Sequence, residues 1–274
     1  MGKRMGNPPV YFVIGQVKHN AVLQLDNYIA GIQENLRKAG YPDYSKATVI
    51  NTVLTPQQDG REPDAAAAAV TIQQVAQHRF HNLSRRSCII LAPDAVSFQT
   101  TEYETFELFS EELWKAVRTV NSAVSGLSYV ERIGLRYVDA VFPREGETLE
   151  QYLVREVLGV SGLVAGMKPN HSFTESALRT DDGYSVVTRV FSHERHLGLP
   201  ADLGAENMPF LDRFEQLRKS PPVRHALIDT DGSWMGRSEY SEDFTKSNLT
   251  KIHDLIGVAF RANVTSHALK TWEG

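Results

Sequence analysis

The sequence carries little of what covalent or metal chemistry needs. Among its 274 residues there is one cysteine, Cys88, which excludes an internal disulfide and a cysteine-based metal site. No run of about eighteen apolar residues occurs, so no membrane-spanning helix is expected. The start, MGKRMGNPPV, is basic but lacks the apolar stretch of a secretory signal, and Gly2 lacks the Ser or Thr of a myristoylation site. A reduced, cytoplasmic protein is expected. The glycine signatures of nucleotide and hydrolase sites are missing too: no Walker loop, no G-x-G-x-x-G after a strand, no G-x-S-x-G elbow. His193-Glu194-Arg195-His196 is one residue short of the H-E-x-x-H zinc motif, and His78 to His81 repeats that spacing. Both fall on predicted strands, where residues three apart point to opposite faces. No metal, no cofactor and no catalytic set is therefore expected. With 29 Lys and Arg against 33 Asp and Glu, the net charge is −4, which argues against a protein that coats long nucleic acid. It leaves room for a local basic groove.

What the sequence does contain is internal similarity. IGQVKHNAV at 14–22 matches IGLRYVDAV at 133–141, and LDNYI at 25–29 matches LEQYL at 149–153. Asp94 precedes Glu102-Tyr103 as Asp231 precedes Glu239-Tyr240, and a long segment of helical apolar period follows each pair. Three matches in the same order indicate a duplication, with repeats at 1–125 and 126–274.

Each repeat reads as β-α-β(3-4)-α. In the first, Val10–Lys18 is a strand, and Leu25, Tyr28, Ile29, Ile32 and Leu36 fall on one helical face. Strands follow at 46–55, 70–81, 87–92 and 96–102, with a polar loop at 57–64 and an alanine run at 65–69, and a helix spans 106–121. In the second, the strands are Tyr129–Phe142, Phe173–Arg179, Tyr184–His193 and Val223–Asp229, and the helices 147–158, 243–262 and 266–272. Residues 196–222 are an insertion, read as a surface excursion with a helix at 209–219. Short turns make the strands antiparallel, so the fold class is α+β: one curved antiparallel sheet with long helices on one face. The order resembles the duplicated arrangement of TATA-binding proteins and their helix-grip relatives. Two ferredoxin-like units are the alternative.

The strand YVERIGLRYVDAVF places Arg132, Gly134 and Arg136 on one face and Glu131, Ile133, Leu135 and Tyr137 on the other. Two arginines flanking a glycine form an open cationic strip for phosphate or carboxylate, or else they pair with acids across strands. The matching strip in the first repeat reads as Val13, Gly15 and Val17. Lys18, Arg79 and Arg189 lie on other strands, and the last two sit near phenylalanines, a pattern that can hold single-stranded nucleic acid or simply make a wet sheet face. Arg218, Lys219 and Arg224 bracket Pro221-Pro222 as a basic loop suited to partner contact.

The segments PPVYFVIGQVKHN, TTEYETFELF, YVERIGLRYVD and VTSHALKTW together resemble a bacterial family that is sporadically distributed and has no assigned activity. The likeness covers residues 8–272, and ERIGLRY is its most specific piece. It implies no catalytic residue; a scattered distribution implies mobile genes, such as defence or toxin–antitoxin neighbourhoods. Three functions are carried forward. The first is a non-catalytic accessory or regulatory subunit that holds a protein partner. The second is a nucleic-acid or nucleotide binder. The third is an enzyme with a cavity between sheet and helices, for which Glu131, Tyr137 and His193 are the candidates. A second copy of the chain stays open as a partner.

Overall fold

The computed structural model describes residues 5–55, 69–160, 169–203 and 208–273. The chain is α+β: nine antiparallel strands form one open sheet, with six α-helices among the described residues. The strands are β1 (Val10–His19), β2 (Asp43–Thr55), β3 (Ala69–His81), β4 (Ser87–Ala92), β5 (Ala95–Thr100), β6 (Tyr129–Val141), β7 (His171–Arg179), β8 (Tyr184–Arg195) and β9 (Val223–Glu239). Their order across the sheet is β2-β3-β4-β5-β1-β6-β9-β8-β7. The helices are α1 (Ile29–Lys38), α2 (Phe106–Ala123), α3 (Leu149–Tyr152), α4 (Asp212–Lys219), α5 (Glu242–Asn263) and α6 (Ser266–Glu273). The expected 57–64 loop and most of the alanine run lie outside the described residues.

Period-two alternation on the central strands sorts their side chains onto two faces. Val13 and Val17 of β1 and Ile133 and Leu135 of β6 pack under α1, α2 and α5, against Ile32, Leu113, Val117, Leu249 and Ile252. A smaller cluster joins Val141, Val190 and Ile228 to Tyr152 of α3 and Trp272 of α6. Thr105 and Ser241 cap α2 and α5, their hydroxyls accepting from the amides of Leu108 and Phe244.

Three expectations are corrected. The insertion at 196–222 is no surface excursion. It crosses the face of the sheet opposite α1, α2 and α5 and buries Leu197, Met208, Phe210 and Phe214 against Tyr11, Phe12, Val138 and Leu227. A bulge between Val10 and Phe12 turns both aromatics of β1 to that face. The Tyr11 hydroxyl then donates to the Gly198 carbonyl at 2.6 Å, and Thr101 donates to the Pro209 carbonyl at 2.6 Å. The helix expected at 147–158 stops at Tyr152, because Leu153 is extended and bridges to Val264. Strand β9 runs ten residues beyond Asp229, to Glu239. Its Asp-Thr-Asp-Gly stretch looks like a turn but pairs with β6 and β8 on both sides.

Gly232 explains that stretch: a Cβ there would lie 2.7 Å from Ile252 Cγ2 and 3.0 Å from Ile256 Cδ1. The glycine admits α5 onto the sheet rather than making a turn. Gly232→Ala is expected to destabilise the fold by about 1–3 kcal/mol through overpacking. Gly198→Ala, with open space around its Cβ, is expected to change stability by less than about 0.5 kcal/mol. Urea unfolding of the two variants checks the pair.

Candidate binding site

The face opposite α1, α2 and α5 carries a cavity of about 770 Å³ over β7, β8 and β9, walled by the end of β8 and by residues 196–202 of the insertion. Register arranges its floor in rows. Glu175, Arg189 and Asp229 lie side by side across the three strands, then Phe173, Phe191 and Leu227, then His171, His193 and His225. Arg136 of β6 reaches in from one side and Asp202 from the insertion.

The charged row is an ion-pair network. Arg136 donates to both oxygens of Asp229 at 2.6 and 2.7 Å and to both oxygens of Asp202 at 2.6 and 3.1 Å. Arg189 donates to Glu175 at 2.6 Å and lies 3.7 Å from Asp229. The Arg136 and Asp229 side chains are only 11% and 7% exposed, whereas Asp202 is 66% exposed. Burial works against the Arg136 charge, but the bonds to Asp229 and Asp202 outweigh it and hold its pKa up. The bond from Arg136 holds the Asp202 carboxyl below its usual range. In this network two cations, Arg136 and Arg189, meet three carboxylates, Asp229, Asp202 and Glu175.

Two histidines of the third row, His193 and His225, are neutral. Burial, helped by His225 and two nearby arginines, pushes the His193 pKa down to about 4, and burial lowers that of His225. The His225 Nδ1 meets the Val223 carbonyl at 2.8 Å, so it carries the proton. Its Nε2 and the His193 Nδ1 are buried with no hydrogen-bond partner. The two rings meet edge to face at 4.5 Å, and Phe142 stacks on His225 at 4.4 Å.

Under the helices lies a different cluster. Tyr103, Tyr137 and His253 form a hydrogen-bonded chain of 3.2 and 3.1 Å, and Phe106 stacks on His253 at 4.1 Å. Tyr103, Phe106 and His253 border a groove of about 1140 Å³ between α2 and α5. Asp139 is buried nearby, and burial, with the charge of Asp229, pushes its carboxyl up to about 8.

Of the residues singled out in sequence, the structure brings Arg136, Arg189 and His193 together in the cavity. Arg132 shares their face but lies farther along β6, bonded to Gln16 at 3.1 Å and 3.6 Å from Asp231. Gly134 makes room for it, since a Cβ there would lie 2.5 Å from Arg132 Nη1. Lys18 pairs with Asp94 at 3.3 Å. Arg79 lies on β3, four strands from β6, and donates to Gln77 at 2.9 Å. Val13, Gly15 and Val17 do not match the arginine strip, because Val13 and Val17 are core and a Cβ on Gly15 would meet Leu113 and Phe109 of α2. Arg218, Lys219 and Arg224 are not one loop: the first two end α4 and pair with Glu215, and Arg224 sits in β9, bonded to the Pro169 carbonyl. Glu131 lines neither cavity, and Tyr137 and His193 belong to opposite faces. Sequence reading missed Asp229, Asp202, His171 and His225. Alternation along the expected strand Val223–Asp229, which already contained both, was the available signal for Asp229 and His225.

Among the described residues, no group of three or more His, Cys, Asp or Glu is placed to hold a metal ion, and no helix is long and apolar enough to cross a membrane. No family model, no curated protein and no solved structure matches the chain.

Asp229→Asn leaves a buried guanidinium short of its inner counter-ion and is expected to cost about 3 kcal/mol. Asp202→Asn removes an exposed partner and is expected to cost less than about 1 kcal/mol; denaturant unfolding at pH 7 separates them. The histidines set a pH dependence. His193 is neutral in the fold down to about pH 4, while its unfolded value is near 6.5. Between those values the unfolded chain binds the extra proton, so stability falls as pH falls. The stability of the wild type minus that of His193→Gln is expected to be flat above about pH 7 and to decline from about 6.5 to about 4. Thermal melts across that range measure it.

Proposed function

We propose that the chain is a non-catalytic binding protein that holds a segment of a protein partner at the corner of the sheet where the cavity meets strand β7. The observation that carries this reading is the state of the corner. The charges of its central row are already paired, and His193 and His225 are neutral, so those groups supply the corner with no poised acid, base or nucleophile. Yet it opens on an edge strand with Phe173 59% exposed and Leu178 57% exposed. Exposed apolar side chains on a strand with free main-chain groups mark a place for another chain. A nucleic-acid reading has less behind it, since each of Arg132, Arg136, Arg189 and Lys18 has a carboxylate beside it.

The scaffold is, in the same proposal, two copies of a TATA-binding-protein-like unit that meet at β1 and β6. In support, the first strand of each half pairs with its last, β1 with β5 and β6 with β9. LDNYI and LEQYL both open the short helical segment after the first strand, and Glu102-Tyr103 and Glu239-Tyr240 both precede a long helix. Against the original alignment, Asp94 sits in a turn and Asp231 inside β9. Gly15 and Gly134 face opposite sides as well, so the repeat on β1 and β6 is out by one residue.

Tagged protein recovered from the cells that make it natively is expected to retain a stoichiometric protein. Phe173→Asp should lower that retention about tenfold or more, while Val258→Asp on the exposed face of α5 should leave it unchanged. Equal retention by both variants, or none by the wild type, overturns the proposal.

A further inference from the structure

We propose that the partner adds an extended strand to the outer edge of β7, with an apolar residue beside Phe173, a basic residue beside Glu175 and an acidic residue beside Arg179. This rests on the binding reading above and gives the occupant its chemistry.

Strand β7 ends the sheet: it pairs with β8 on one side, and no described strand pairs with the other. Alternate residues of this nine-residue strand thus turn their N–H and C=O groups to the open side. Residues His171, Phe173, Glu175, Ala177 and Arg179 share the cavity face, and across β7 to β9 the first three head the rows of the cavity floor. A strand laid beside β7 continues those rows by one residue each. The middle row, Phe173, Phe191 and Leu227, is apolar, so an apolar neighbour covers the exposed ring. Glu175 accepts from Arg189 on Oε2 only, leaving Oε1 for a cation. Arg179 makes no hydrogen bond or ion pair among the described residues and takes an anion. Beside Ala177 a small residue suffices. For an antiparallel strand the pattern in chain order is acidic, small, basic, apolar at every second position.

A second copy of this chain fits poorly. In the full antiparallel overlap of two β7 strands, Glu175 faces Glu175, and like charges directly opposite destabilise a pair. Registers that part the two carboxylates pair only some of the strand. Charge complementarity therefore favours a different chain.

The test uses the full-length protein and a fluorescein-labelled nine-residue peptide carrying Glu, Ala, Lys and Phe at alternate positions separated by threonines, together with its reversed sequence for a parallel strand. Fluorescence anisotropy should show one of the two binding. Replacing its Lys by Glu should weaken it about tenfold. Arg179→Glu should weaken it about threefold, with recovery when the peptide's Glu becomes Lys. N-methylation of alternate peptide residues should abolish binding in one phase and spare it in the other, because strand main-chain groups alternate in direction. If charge-scrambled peptides bind equally but the N-methyl phase effect holds, the edge is a docking strand and the proposed side-chain pattern is overturned. If neither peptide binds, or no phase effect appears, strand addition is overturned, while partner retention decides the broader reading separately. A dimer in sedimentation that Phe173→Asp dissociates makes the occupant a second copy and overturns the proposal.

Discussion

The pairing of β1 with β6 at the middle of the sheet decides which residues can meet elsewhere in the molecule. Gly15 faces Leu135 and Gln16 faces Gly134 in that ladder. Because the side-chain period is two, a slip of one residue would exchange the two faces of either strand. In the register observed, the bulky side chains of β6, Ile133, Leu135 and Tyr137, all go under α2 and α5, and both arginines go to the other side. Gly15 makes that packing possible on β1, where Phe109 and Leu113 take the space a side chain would fill. The helices, the strap and the ion network follow from that one choice.

The second face then has a problem of its own. A guanidinium cannot shed its proton, so a largely buried Arg136 must be matched by carboxylates. One comes from the neighbouring strand, Asp229, and the other from the insertion, Asp202. The strap is thus tied to the sheet twice, by apolar burial of Phe210 and Phe214 against Tyr11 and by charge at Arg136. Asp139 shows the opposite solution. It is equally enclosed and sits on the helix side, near Tyr137, with no counter-ion, and its carboxyl simply stays protonated near neutrality. His193 and His225 stay unprotonated for the same reason. Ionisable groups that can become neutral do so, and the one that cannot recruits partners.

Much of this was legible in the sequence, and the exceptions have physical causes. Alternation gave the faces of β6 from Arg132 to Tyr137, although a bulge between Val130 and Arg132 puts Val130 in the core beside Ile133, and the helical period of Phe109, Leu113 and Val117 gave α2. The open α+β sheet followed from short turns. The length of β9 was hidden because Asp-Thr-Asp-Gly has turn composition, and only the seat of Ile252 over Gly232 reveals its purpose. The insertion was misread because Leu197, Met208, Phe210 and Phe214 have no common period. They bury themselves one by one on a surface made by distant strands. The cationic strip was seen, with pairing to acids across strands as its alternative, but the acids themselves were not identified, because Asp202 and Asp229 lie 66 and 93 residues from Arg136.

The two edges of the sheet are not equivalent, and the proposed recognition falls at one corner for that reason. On β2 the edge is bound to its own molecule: Lys46 pairs with Asp26, His78 lies 3.1 Å from the same carboxylate, and Asp43 pairs with Arg85. On β7 the only ion pair among the described residues points inward, from Glu175 to Arg189. The strap covers the face over β1 and β6 and stops short of β7, leaving Phe173 and Phe191 uncovered at the cavity mouth. A sheet protects an edge with charge, with a covering segment or with a short strand. Strand β7 has nine residues, and on its cavity face Phe173 is exposed, while Val157 and Gly159 pack on Thr174 and Ser172 of the other face. An edge left in that condition beside a shaped cavity is better explained by use than by neglect, because the same strand would otherwise be the chain's first point of uncontrolled association.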